Sequence, residues 1–140
     1  MNMFQPFAQI NYLAVLVSAI AYFMLGALWY APQFLGNAWM KARNITPKDI
    51  QGGLTPRLFV ITFLCELIAA LVVGYVVTAA NVSGIGSGLV VGLLLGLGFV
   101  ATSIGVTFLY ENRPLNLFLI DAGYHIVGVA IAGVILSLWK

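Results

Sequence analysis

The sequence predicts an all-α integral membrane protein: a four-helix bundle with both termini on the same, extracytoplasmic side and a short interfacial helix in the first connection. Three observations carry this prediction. Of 140 residues, 62% are hydrophobic and only 7% charged, against about 25% charged in an ordinary soluble domain. The apolar residues form four blocks, each longer than the ~20 residues a bilayer core demands, rather than amphipathic stripes. Almost all cations lie on one side of this even number of spans.

The blocks run from Ala8 to Tyr30, Leu58 to Ala80, Ile85 to Leu109 and Leu115 to Trp139, giving a single domain over residues 1–140. Between them lie one middle-sized connection, Ala31 to Arg57, and two short ones around Asn81 to Gly84 and Tyr110 to Pro114. The first block has no Lys or Arg before it and is too long for a signal h-region, so it is expected to stay as an anchor. A lone cysteine, Cys65, leaves no partner for an internal disulfide and is expected to pack between helices.

Orientation follows from charge. Lys41, Arg43, Lys48, Arg57 and Arg113 flank the two connections opposite the termini, while Lys140 alone lies with the termini. The positive-inside rule then places the first connection and the Glu111 to Arg113 turn in the cytoplasm.

Within the first connection, Phe34, Leu35, Ala38, Trp39 and Ala42 recur at helical spacing, as a helix lying in the headgroup plane requires. Thr46, Pro47 and Asp49 have the chemistry of a helix start, Gly52 and Gly53 stop that turn, and Pro56 restarts the chain. Trp29, Tyr30, Trp39, Tyr110 and Trp139 read as interfacial anchors in preference to ligand-stacking residues, with Tyr12 a further candidate.

The third block carries Gly84, Gly88, Gly92 and Gly96 at four-residue spacing, with Gly98 and Gly105 beyond. Lipid supplies no hydrophobic drive for helix association, so contact must come from packing, and such a strip lets another backbone approach closely. The partner is either a helix of the same chain or another copy. A homo-oligomer is attractive because four helices enclose little room for a solute. Asn44-Ile45-Thr46 and Asn81-Val82-Ser83 match the glycosylation triplet, a pattern common by chance.

Three ionisable side chains fall within spans: Glu66, Asp121 and His125. Each such group costs roughly 2.5 to 3.5 kcal/mol on insertion scales, so it is expected to face protein or water. Both helices run in the same direction, which puts Glu66 about 12 Å and His125 about 15 Å from their cytoplasmic ends, with Asp121 one turn shallower on the face of His125. Small residues accompany them, Ala69 and Ala70 in one span and Gly128 and Ala132 in the other. Ser18, Tyr22, Thr102, Ser103 and Thr107 reach similar depths from the opposite direction and could complete a polar interior. Glu66, Asp121, His125, Thr102 and Ser103 are therefore the candidates for binding or proton relay, and Gly84, Gly88, Gly92, Gly96 and Gly128 those for helix packing.

Coupled protonation of a carboxylate and an imidazole suits proton transfer. It equally suits an inert clasp that holds helices in register. Three nitrogen or oxygen ligands would suffice for zinc, but a single histidine, with no HExxH helix and no paired cysteines, points away from metal or haem. No catalytic residue, metal site, cofactor or nucleic-acid partner is expected.

Gly26-Ala27-Leu28-Trp29-Tyr30 with Pro32, Gly36, Trp39 and Met40, then Glu111, Arg113-Pro114-Leu115 and Leu119-Ile120-Asp121-Ala122-Gly123-Tyr124-His125, resembles a family of small four-span bacterial membrane proteins catalogued as a domain of unknown function. The likeness runs from the first helix through the last, and the LWY-x-P and LIDAGYH stretches are its most specific parts. It implies a bacterial inner-membrane protein and no activity. Asp121, His125, Trp29 and Tyr30 belong to its pattern, whereas Glu66 does not.

Two functions follow as expectations. In the first, Glu66, Asp121 and His125 line a site that binds or passes a proton, ion or small solute. In the second, the chain is a structural or accessory subunit with the polar cluster as helix glue. An enzyme at the cytoplasmic interface, resting on Trp39 to Asp49, comes third.

Overall fold

The computed structural model describes residues 2–140 and is built from helices, with no strand among the described residues. A short helix α1 (Gln5–Gln9) precedes α2 (Tyr12–Trp29). A π-helical turn over Pro32–Gly36 runs into α3 (Asn37–Arg43), followed by α4 (Pro47–Gln51) and α5 (Pro56–Ala79). The third span comprises α6 (Ile85–Leu95), a π-helical turn (Gly96–Ala101) and α7 (Thr102–Tyr110), and α8 (Leu115–Leu138) closes the fold. Four segments are long and apolar enough to cross a membrane: Tyr12–Trp29, Pro56–Ala79, Ile85–Tyr110 and Leu115–Leu138.

Local chemistry sets the ends of these helices. The first span begins at Tyr12 rather than at the expected Ala8. The chain is extended at Ile10 and Asn11, and the Asn11 side chain caps the helix by accepting from the Ala14 N–H at 3.1 Å. Thr55 does the same for α5, accepting from the Leu58 N–H at 3.2 Å ahead of Pro56 at the first helical position. In α4 the Asp49 carboxylate accepts from both the backbone N–H and the hydroxyl of Thr46, each at 2.7 Å. Asn44, Asn81 and Asn112 close their helices in the left-handed conformation, at φ 54°, 50° and 52°, a position asparagine tolerates better than most side chains. Two of these asparagines are those of the glycosylation-like triplets.

The core lies between α2, α5 and α8, where Ala14, Val15, Ala19, Ala70, Val73, Val77, Val129, Ala132 and Leu136 are buried together. Small residues dominate, so backbones come close and dispersion contacts are dense. The third span joins through α8. A Cβ added at Gly92 would lie 2.6 Å from Ala130 Cα and 2.8 Å from the Val129 carbonyl oxygen, and one at Gly96 would lie 3.1 Å from Ile126 Cα. One at Gly88 would fall on Ser137 and the Gly133 carbonyl. Gly84 differs from the other three: its φ of 93° starts the helix, nothing lies within 4 Å of its added Cβ, and its carbonyl accepts from the Ser137 hydroxyl at 3.0 Å. The glycine strip thus meets a helix of its own chain. Cys65, expected to pack between helices, faces outward and is exposed.

Candidate functional site

The structure places the three intramembrane ionisable side chains near one another without making them mutual partners. Each is tied to an aromatic donor from elsewhere in the fold. Asp121, in the second turn of α8, accepts through Oδ1 from the Tyr30 hydroxyl at 2.8 Å and from the Trp39 indole N–H at 3.0 Å. His125 Nδ1 lies 2.6 Å from the Tyr22 hydroxyl, and with Nδ1 unprotonated the phenol is the donor. Glu66 Oε1 accepts from the Tyr124 hydroxyl. These bonds connect α8 to α2, α3 and α5.

The pairing has a physical reason. Two carboxylates brought together in a low-dielectric interior repel strongly, whereas a phenol is a neutral donor with a long reach, half apolar and half polar. Asp121 and Glu66 consequently take separate tyrosines. Among the described residues no group of three His, Cys, Asp or Glu side chains converges as a metal site would need.

The tyrosine rings weld the three pairs into one body. Tyr124 lies 5.3 Å from Tyr22, 5.4 Å from Tyr30 and 4.6 Å from His125 between ring centroids, and Tyr30 lies 5.5 Å from Trp39. Glycines make room for them. A Cβ at Gly26 would sit 3.0 Å from the Tyr124 hydroxyl oxygen, one at Gly123 3.2 Å from Trp29, and one at Gly128 inside the Tyr22 ring. Gly128, expected to contact another helix, therefore serves Tyr22 and through it His125.

Among the described residues two fully buried side-chain polar atoms have no partner: Glu66 Oε2, on a residue 4% exposed, and Ser18 Oγ, on a residue fully buried. Native interiors rarely leave such atoms idle.

Thr102 and Ser103 do not reach this interior. Both are exposed on the outer side of the third span, where the Thr102 hydroxyl donates to the Gly98 carbonyl at 2.8 Å and the Ser103 hydroxyl to the Phe99 carbonyl at 2.6 Å. Both lie beside the π-helical turn at Gly96–Ala101, and each hydroxyl bonds back to a carbonyl of its own helix, as serine and threonine commonly do in apolar helices. Thr107 behaves likewise, donating to Ser103 at 3.3 Å.

The interfacial aromatics divide. Trp29 donates its indole N–H to the Ile120 carbonyl at 3.0 Å, and Tyr30 and Trp39 point theirs at Asp121. Their polar atoms thus turn inward instead of toward headgroups, those of Tyr30 and Trp39 onto a carboxyl group and that of Trp29 onto a backbone carbonyl. Trp139 sits at the other end, beside a cavity of about 200 Å³ also lined by Asn11, Thr78, Asn81 and Lys140. A second, wholly apolar groove lies between α6 and α8 around Leu93 and Ile131. Neither is lined by Glu66, Asp121 or His125.

Tyr22, placed by sequence reasoning at the depth of the polar interior, does bond His125. Sequence reasoning treats Tyr30 only as an anchor and assigns Tyr124 no role, although Tyr124 lies between Asp121 and His125 in the same stretch.

The geometry joins the end of the first span, Leu28-Trp29-Tyr30, to the start of the fourth, Ile120-Asp121, through two hydrogen bonds. The sequence profile of a family described as proteins of unknown function, DUF1761, matches residues 13–137, almost the whole chain. The chain belongs to this family. No curated protein and no solved structure matches it. This member is a multi-pass protein whose four apolar helices fit a lipid bilayer.

Proposed function

We propose that this family member is a bacterial inner-membrane protein whose interior binds and relays protons through Glu66, Asp121 and His125. The observation that carries the reading is the pairing of each ionisable side chain with a phenol from another helix, together with the unpartnered Glu66 Oε2. An ion or a larger solute needs a cavity lined by its ligands. A proton needs only hydrogen-bonded donors and acceptors, and these groups supply them without a cofactor. The basic connections face the cytoplasm in this reading, so Asp121 stands nearest that side, with Tyr30 and Trp39 as its donors. Thr102 and Ser103 have no part in it.

A helix clasp within a larger complex is the second reading, favoured by the two donors converging on Asp121 Oδ1. The glycine strip then acts as the packing surface for α8 and not as a contact between copies. A homo-oligomer would assemble through the outward face of the third span.

Infrared difference spectroscopy across a pH titration separates the two. A relay gives a carboxyl band that comes and goes with pH and is lost in Glu66→Gln or Asp121→Asn. A pure clasp gives no titrating carboxyl band from these residues and shows only lower thermal stability in the variants.

A further inference from the structure

Among the described residues the cations of the first connection form no ion pair. The sequence holds four acidic residues, and the structure accounts for each. Glu66 and Asp121 are held by tyrosines inside the bundle, Glu111 pairs with Arg113 at 2.5 Å, and Asp49 is turned onto Thr46. Lys41, Arg43, Lys48 and Arg57 are all exposed and none of them forms an ion pair, so the segment keeps four cations against the single carboxylate of Asp49. Beside them Phe34, Leu54 and Leu58 present exposed apolar side chains. Cations above apolar side chains, at the end of a transmembrane bundle, complement phosphate headgroups above acyl chains.

One of these cations is wired to the interior. The Arg43 guanidinium lies 4.6 Å over the Trp39 ring, and the Trp39 N–H donates to Asp121. We infer that the α3 and α4 segment is a binding surface for anionic phospholipid headgroups, and that Trp39 couples its occupancy to Asp121. The lipid seats on Lys41, Arg43, Lys48 and Arg57. By holding α3 against the bundle it favours the state in which the Trp39 bond to Asp121 is made, and thermodynamic linkage requires that this bond favour lipid in return. Only the coupling to Asp121 rests on the proton reading above; the lipid surface stands on charge and exposure alone. A charge bias that merely sets orientation needs no preference for one headgroup, and that difference is measurable.

The test is native mass spectrometry of the full chain in mild detergent, titrated with phosphatidylglycerol or phosphatidylcholine of matched acyl chains. Wild type is expected to retain phosphatidylglycerol selectively, and each cation replaced by glutamine is expected to lower that affinity about fivefold, the equivalent of about 1 kcal/mol. Replacing all four (Lys41→Gln, Arg43→Gln, Lys48→Gln, Arg57→Gln) should abolish the preference. These are exposed positions, so the fold should survive. Equal retention of both lipids by wild type, or an undiminished preference in the fourfold variant, overturns the surface. For the coupling, phosphatidylglycerol should raise the thermal midpoint of wild type more than that of Trp39→Phe, which keeps every cation and loses the indole N–H. An equal rise in both overturns the coupling. Because adducts and midpoints are read without proton flux, failure of the relay and failure of the lipid surface give different results.

Discussion

On the face of α8 turned toward α2 and α3, contact is made by the polar atoms of large side chains: Tyr22 on His125, and Tyr30 and Trp39 on Asp121. On the face turned toward α6 it is made by leaving side chains out, with Gly88 and Gly92 set against Gly133 and Ala130. Both solve the problem that lipid competes with protein for every apolar surface. They differ in what they can do besides hold. A glycine contact is short-range and has one geometry. A hydrogen bond between a phenol and a carboxylate or imidazole can change with protonation, whereas a glycine contact cannot.

The largest expected effect comes from breaking the rigid face. Gly92→Leu would drive a side chain into the α8 backbone and cost about 3 kcal/mol, near the upper end for overpacked cores. Gly98→Leu, where nothing lies within 4 Å, should stay within about 0.5 kcal/mol of wild type. Unfolding in mixed micelles checks both, and equal losses would mean that α6 does not meet α8 through Gly92.

Next comes the polar face. Tyr124→Phe leaves Glu66 with neither oxygen bonded, at a cost of about 1 to 3 kcal/mol. Gly128→Ala should act on the same face from the other side by displacing Tyr22 from His125, again by about 1 to 3 kcal/mol. Adding Tyr22→Phe to Gly128→Ala should then cost less than the sum of the two, because both changes remove one contact. Additive losses would separate Gly128 from the histidine pair.

A smaller effect is expected at the joint between interface and bundle. Trp39→Phe removes one donor from Asp121 while Tyr30 remains, so about 1 kcal/mol is expected, together with faster amide exchange in α3 and little change in α6. The smallest concerns Asp49, outside the membrane. The Thr46 backbone N–H and then its hydroxyl hold the Asp49 carboxyl below its usual range. A lowered folded value means the contribution is fully present above the unfolded pKa of ~3.9 and is lost as pH falls through the folded value. Amide exchange of α4 should therefore rise only in strong acid, and Asp49→Asn should remove that dependence.

Much of the architecture was legible because lipid imposes a simple requirement on sequence. Four long, predominantly apolar blocks read as helices, and Thr46, Asp49 and Pro56 marked real starts in the first connection. The break at Ile10 and Asn11 did carry a signal, since Gln9 and Asn11 interrupt the apolar run and Asn11 is a helix-capping residue type. Yet Ala8 and Ile10 on either side of Gln9 made the run look continuous. The π-helical turn at Gly96–Ala101 was hidden because six apolar or glycine residues carry no signal of ladder geometry. Depth counting brought Glu66, Asp121 and His125 to the same region, since α5 and α8 are both α-helices rising about 1.5 Å per residue. Which atoms bond was beyond it, because tyrosine reach and the rotation of each helix about its axis depend on the glycines opposite, at Gly26 and Gly128. Trp29, Tyr30 and Trp39 were read as belt residues on composition, and only the position of α8 shows their donors turned inward.

Proton flux into liposomes under an imposed pH gradient tests the relay most directly, with wild type compared against the double variant Asp121→Asn, His125→Ala. The relay predicts that wild type dissipates the gradient faster than protein-free liposomes and that the double variant, inserted and folded, does not. A wild type indistinguishable from empty liposomes, or a folded double variant with undiminished flux, would contradict it and leave the tyrosine pairs as a clasp.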